Sequence, residues 1–329
     1  PAPPGMNRPP RPLGASTVTV GPLGLGCWPI AGMTRTGITH EAAVATARAA
    51  LDAGIDHLDT AYCYGETGES ERAIARVLAG VRRESATVAT KCGIHWEAGR
   101  RQVVDGRPAT IRREVEESLA RLGTDHVDLL YLHAPDPTIR IEESAGELAR
   151  LLHEGKTRAV GLSNVSTEQL ERAAAVCPIA ACQMHFNMLQ REIEADVLPW
   201  CRRHGVAVVA YWPLMKGLLA GHLGRDHVFP ATDSRHKYPM FNGEEYRRNL
   251  DFVDRLRPLA TELGVGLTDL VLAWTAEQPG ITCVLFGATS AEQARLNARA
   301  LDCELDDRTR HAVAEAIRDR GPVASRRPV

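Results

Sequence analysis

Four side chains with acid–base chemistry follow one another in the first half of the chain: Asp59, Tyr64, Lys91 and His133. Each stands at or just beyond the end of an apolar run. Reducing a carbonyl needs a proton donor beside the oxygen that becomes an alkoxide. A tyrosine alone is a weak acid, with an unperturbed pKa of about 10. A nearby lysine ammonium favours the phenolate and so improves the phenol as a donor. A carboxylate keeps that lysine charged and in place, and an imidazole can hydrogen-bond the carbonyl or share the proton. Taken singly, Asp59 would cap a turn, Lys91 would be a surface charge, His133 a structural imidazole and Tyr64 loop packing. Four interlocking roles on consecutive elements favour the shared chemistry.

The elements that must position them are legible as apolar runs at 24–28, 55–59, 86–90, 127–132, 157–162, 181–186, 206–211 and 282–286. Stretches of helical period separate them. In 109–122, Ile111, Val115, Leu119 and Leu122 share one face, as Ala145, Leu148, Leu151 and Leu152 do in 142–154. Ser166 with Gln169, and Ser290 with Gln293, have capping-box spacing. Eight strands alternating with helices predict an α/β fold, a (β/α)8 TIM barrel, rather than a doubly wound sheet. The long interval from 206 to 282 predicts an insertion between strands 7 and 8, with an excursion over 222–243 and helices near 244–262 and 267–278. Residues 13–329 are expected to form a single domain. Residues 1–12, rich in Pro and Arg, are expected to be disordered or foreign to the fold, with Pro1–Gly5 added ahead of a native Met6.

Active-site groups of such a barrel lie at the carboxyl ends of its strands. Reading those ends in turn gives Asp59 with Tyr64, Lys91, His133, Ser163-Asn164, Gln183, Tyr211 and Gly287. The 329 residues are 44% hydrophobic and 24% charged, with net charge −2, so neither a nucleic-acid footprint nor a membrane surface patch is expected. The eight cysteines form no C-x-x-C pair and are expected as reduced thiols of a cytoplasmic protein. His204, His222, His227 and His236 are too scattered for a metal site, and none is expected. Gly24-Leu25-Gly26 is no dinucleotide fingerprint, because Pro29 stands where the third glycine belongs.

The stretch Leu58-Asp59-Thr60-Ala61-Tyr62-Cys63-Tyr64-Gly65-Glu66 resembles the L-D-T-A-x-x-Y-G-x-E signature of the aldo-keto reductase superfamily. Arg121-Leu122-Gly123, then Val127-Asp128-Leu129 through His133, and Gly161-Leu162-Ser163-Asn164 resemble further motifs of that family, in its order, from about Leu25 to Leu301. The likeness is to bacterial members related to the potassium-channel β-subunit branch. It implies hydride transfer from NADPH to an aldehyde or ketone, with Asp59, Tyr64, Lys91 and His133 as the catalytic tetrad and Tyr64 as general acid. It implies that Ser163, Asn164 and Gln183 bind the nicotinamide carboxamide and that Tyr211 stacks on the ring. Trp212, Pro213, Leu214, Gly217 and Leu219 would cover the pyrophosphate; Gly287, Thr289, Ser290, Gln293 and Asn297 would take the adenosine phosphate. A glycine turn leading into a capped helix start suits an anion on physical grounds as well.

The chain departs from the family pattern at Trp212, Phe186, Phe286 and Thr289, the last standing where many relatives carry Arg for the 2′-phosphate. Arg235, with His236 and Lys237, is expected to supply that charge from the insertion. Trp28 and Trp96 are expected to line the pocket of a small-molecule carbonyl substrate. Two alternative readings stand beside this one: a reductase of nucleotide-linked keto-sugars in deoxysugar formation, and a nucleotide-binding redox sensor with little turnover. The oligomeric state is left open.

Overall fold

Each of the eight apolar runs forms a parallel strand in the computed structural model, which describes residues 9–34, 37–231 and 233–324. The strands are β1 (Leu23–Gly26), β2 (His57–Asp59), β3 (Thr87–Cys92), β4 (Leu129–Leu132), β5 (Val160–Ser163), β6 (Ile179–His185), β7 (Ala207–Tyr211) and β8 (Ile281–Gly287). They pair in chain order and close, β8 onto β1, into a barrel. Strands covered on both faces must be apolar along their whole length, which is why these segments read as continuous runs. Inside, Ala89, Leu129, Tyr131, Ala181, Val209, Cys283 and Leu285 pack together.

Among the described residues ten α-helices surround the strands: α1 (His40–Asp52), α2 (Glu69–Leu78), α3 (Pro108–Leu122), α4 (Ile141–His153), α5 (Thr167–Ala174), α6 (Val197–His204), α7 (Gly243–Glu262), α8 (Leu267–Glu277), α9 (Ala291–Ala298) and α10 (Asp307–Arg320). Helices α3 and α4 bury the stripes expected of them. The capping box at Ser166 is complete. The one at Ser290 is half made: Ser290 Oγ accepts from Gln293 N, but the Gln293 carbonyl accepts from Thr289 instead. Among the described residues no single helix is long and apolar enough to cross a membrane.

Two hairpins correct or extend the sequence reading. The first twelve residues are not all outside the fold: Arg11–Pro12 pairs with Thr19–Val20, and residues 1–8 lie outside the described ones. Arg11 donates to the carbonyls of Ala276, Ile281 and Thr282 at 3.1 Å, while Leu13, Val18 and Val20 join the barrel's interior cluster. A Pro-rich composition hides this, because a proline is tolerated on a two-residue edge strand. The second hairpin, Ile94–Glu97 with Arg101–Val104, lies between β3 and α3.

Candidate active site

The carboxyl end of β2 delivers Asp59, and a tight turn carries the chain on to Tyr64. Thr60 N bonds Ala89 O at 2.8 Å, Tyr62 N bonds Lys91 O at 2.9 Å and Tyr64 N bonds Ala61 O at 3.0 Å. Gly65 follows with φ +94°, where a Cβ would fall 1.8 Å from a Glu69 carboxylate oxygen, so this turn requires glycine. From α3, Arg121 donates to Tyr62 O at 3.0 Å and to Glu71 at 3.1 Å, with its guanidinium 4.2 Å from the Tyr62 ring centre. Asp128 accepts from Arg83, Arg158 and Val88 N. The Arg121 and Asp128 motifs therefore brace the frame around the site.

Asp59, Tyr64, Lys91 and His133 come together at one rim. Asp59 and Lys91, each 1% exposed, form a buried ion pair. Lys91 Nζ also donates to Thr60 O at 2.8 Å and to Tyr64 Oη at 3.3 Å. The second Asp59 oxygen accepts from Gln183 Nε2 at 2.7 Å. A buried charge pair is tolerable only when its remaining hydrogen-bonding positions are satisfied, and here they are. The Tyr64 ring packs edge-on against His133, 5.8 Å between centres, and against Trp28, 5.2 Å.

Burial, then the Asp59 carboxylate, pushes the Tyr64 phenol well above its ordinary value. The phenol therefore stays protonated in the resting site, with the Lys91 ammonium 3.3 Å from its oxygen. Burial and the Lys91 charge hold the His133 imidazole well below its ordinary value, so it is neutral at pH 7.

Across the mouth, Asn164 stands in the left-handed region at φ +60°. Its Nδ2 donates to His133 O at 3.0 Å and Ser163 Oγ at 3.1 Å, and its Oδ1 accepts from Tyr211 Oη at 2.7 Å. Trp212, Met215 and Lys216 are left-handed too, at φ +60°, +46° and +52°. Such non-glycine residues cost about 1–3 kcal/mol each and cluster at functional sites. They give Pro213, Leu214, Gly217 and Leu219 their course over the rim. Lys216, which sequence reasoning missed, sits 4.7 Å from the Trp212 ring centre and 4.9 Å from that of Tyr238, seating the insertion on this loop.

At the far end Gly287 is exposed and leads through Thr289 and Ser290 into α9. Gln293 braces Thr289 at 2.8 Å and Asn297 Nδ2 donates to Gly287 O at 3.1 Å. Arg235 is not a free cation: it forms a two-pronged pair with Asp233 and stacks 4.6 Å from the Phe229 ring centre. Trp96 reaches the site indirectly, donating from Nε1 to Cys63 O at 2.8 Å. Hydroxyl and amide groups beside the flat Tyr211 ring, followed by a helix amino terminus, could hold a ring bearing a carboxamide and then a phosphate. Among the described residues no group of three His, Cys, Asp or Glu side chains could hold a metal ion.

The sequence profile described as the Aldo/keto reductase family matches residues 22–318. Aldo-keto reductase YhdN of Bacillus subtilis (strain 168) is 36% identical over 273 residues, 82% of this chain and 82% of that protein. The NADH-specific methylglyoxal reductase of Escherichia coli (strain K12) is 34% identical over 310 residues, 90% of this chain and 94% of that protein. Among solved structures, the glycerol dehydrogenase AKR11B4 from Gluconobacter oxydans superposes with a TM-score of 0.88 at 36% identity, covering 97% of this chain and 98% of that one.

Proposed function

The chain belongs to the aldo/keto reductase family of oxidoreductases, and on that premise we propose that it reduces a small aldehyde or ketone with NADPH, taking the proton from Tyr64. The observation that carries this reading is the buried chain Asp59–Lys91–Tyr64. The donor set fits a nicotinamide nucleotide: Ser163, Asn164 and Gln183 for the carboxamide, Tyr211 for the ring and the turn at Gly287 for phosphate. When bound, that cofactor supplies the hydride, which goes to the carbonyl carbon.

The protein's own part concerns the oxygen. His133, neutral, donates a hydrogen bond to the carbonyl oxygen and orients it. As negative charge develops there, Tyr64 gives up its phenolic proton, and the product leaves as a neutral alcohol. The phenolate left behind faces the Lys91 ammonium, which stabilises it, and water then restores the proton. Because Lys91 meets a full charge only after transfer, its attraction acts mainly on the transition state. Asp59 fixes the ammonium where that charge appears.

The NADPH reading rests on the cationic corner beside the rim loop, where Lys216 lies close enough to Asp233, Arg235 and Lys237 to feel all three charges. Burial, with Arg235 and Lys237, lowers Lys216 to about 8 although Asp233 opposes the shift. Two relatives are named for short oxygen-rich compounds, so methylglyoxal and dihydroxyacetone are the first substrates to try, with nitrobenzaldehyde as a general probe. All eight cysteines are free and buried, which suits a reducing cytoplasm. The experiment is NADPH oxidation against this panel, without added metal. Steady turnover supports the reading, and tight cofactor retention with negligible turnover would contradict it.

A further inference from the structure

Cys63 occupies the position before the catalytic tyrosine, and its side chain is fully buried among Ala61, Ile94 and Ala134. Its Sγ lies 3.5 Å from Nδ1 of His133. The backbone around it is pinned: Trp96 donates to its carbonyl, and Arg121 donates to the carbonyl of Tyr62 before it. His133 is pinned likewise, with its N bonded to Cys92 O at 2.9 Å and its O to Asn164. The sulfur and the ring nitrogen are thus brought together from the pinned turn after β2 and the end of β4, and the contact is part of the frame.

A neutral imidazole carries one proton, and the partner of one nitrogen decides where that proton sits. A thiol is a weak donor and its sulfur a weaker acceptor, whereas a bare imidazole nitrogen accepts well. The better arrangement of this pair is S–H to Nδ1, which puts the imidazole proton on Nε2. We propose that Cys63 is a positioning residue for the reduction: its thiol donates to Nδ1 of His133 and so holds the ring in the Nε2–H form that donates to the substrate oxygen. Burial supports this by pushing the thiol up to about 12, which keeps its proton on sulfur. The inference rests on the proposed carbonyl reduction for its consequence, but the tautomer is measurable without turnover.

The test has two parts. In protein labelled with ¹⁵N-histidine, with the His133 signals assigned by their loss in His133→Asn, Nδ1 should resonate as a hydrogen-bonded acceptor and Nε2 as N–H. A proton found on Nδ1 overturns the proposal, whatever the substrate proves to be. The second part compares Cys63→Ser, which keeps a donor, with Cys63→Val, which fills the space without one. Cys63→Val should lose about fivefold in kcat, the worth of one hydrogen bond, with little change in NADPH affinity. Cys63→Ser should stay within about twofold of wild type. A purely structural cysteine would favour Val over Ser, and that order, or equal activity of the two, overturns the proposal. Absence of carbonyl reduction in the wild type would instead contradict the functional reading and leave the NMR result to decide the tautomer.

Discussion

The side-chain amide of Gln183, at β6, donates to Oδ2 of Asp59, at β2, across the barrel mouth at 2.7 Å, while Lys91 holds the other oxygen of the same carboxylate. The residue assigned to the cofactor's carboxamide is thereby wired to the base of the proton-donating chain. Replacing Gln183 with Leu would leave a buried carboxylate oxygen without its donor, at a cost of about 1–3 kcal/mol. Gln183→Leu is expected to melt earlier, bind NADPH more weakly and turn over more slowly. Calorimetry and steady-state kinetics check this, and unchanged melting would mean that Lys91 alone satisfies Asp59.

The neutral His133 predicts an acid-sensitive fold. Its imidazole is held well below 6.5, so the unfolded chain takes up a proton that the folded chain refuses. Stability from this group therefore falls as pH drops below about 6.5, and above that pH the group contributes no slope. Between about pH 7.5 and 5 the wild type should lose more in Tm than His133→Gln does. Parallel losses would show that the folded site admits the proton.

Arg235 spends its charge on Asp233, so the cofactor preference should respond to their balance. Asp233→Asn keeps an oxygen to cap the turn at Arg235 N but removes the opposing charge. It is expected to tighten NADPH relative to NADH, and Arg235→Ala, which bares the carboxylate, to do the reverse. Charge-assisted contacts support a change of about 1.5–3 kcal/mol at most. Titration of both cofactors at low salt checks the signs; equal shifts for the two would separate this corner from the 2′-phosphate.

A Cβ at Gly161, on β5, would lie 2.3 Å from a Tyr131 ring carbon, and Tyr131 fills the barrel interior beneath the site. Gly161→Ala is expected to cost about 1–3 kcal/mol through overpacking, read as a lower Tm. A wild-type melting curve would mean that the ring moves aside freely.

The barrel was legible because strands buried on both faces leave long apolar runs, and the cluster of Asp59, Tyr64, Lys91 and His133 because these residues stand at or just beyond the ends of three consecutive runs. The hairpin at Ile94–Val104 left no such trace: it is short and half-exposed, its strands are not apolar runs, and its one turn signal is Gly99. Arg235 was readable as a charge but not as one already matched, since Asp233 stands two residues away in a turn whose geometry the sequence does not reveal. Lys216 and Cys63 were silent for a different reason. A loop lysine and an apolar-looking cysteine acquire meaning only from partners distant in sequence, the Tyr238 ring and the His133 imidazole.

The central claim is that the Tyr64 hydroxyl delivers the proton. The direct measurement is kcat for carbonyl reduction by purified Tyr64→Phe, with NADPH affinity measured alongside. The account predicts a loss of about 10²–10⁴-fold in kcat, the range for general acid catalysis, with NADPH affinity nearly intact. A variant that keeps more than about a third of wild-type turnover would contradict it and assign the proton to another residue.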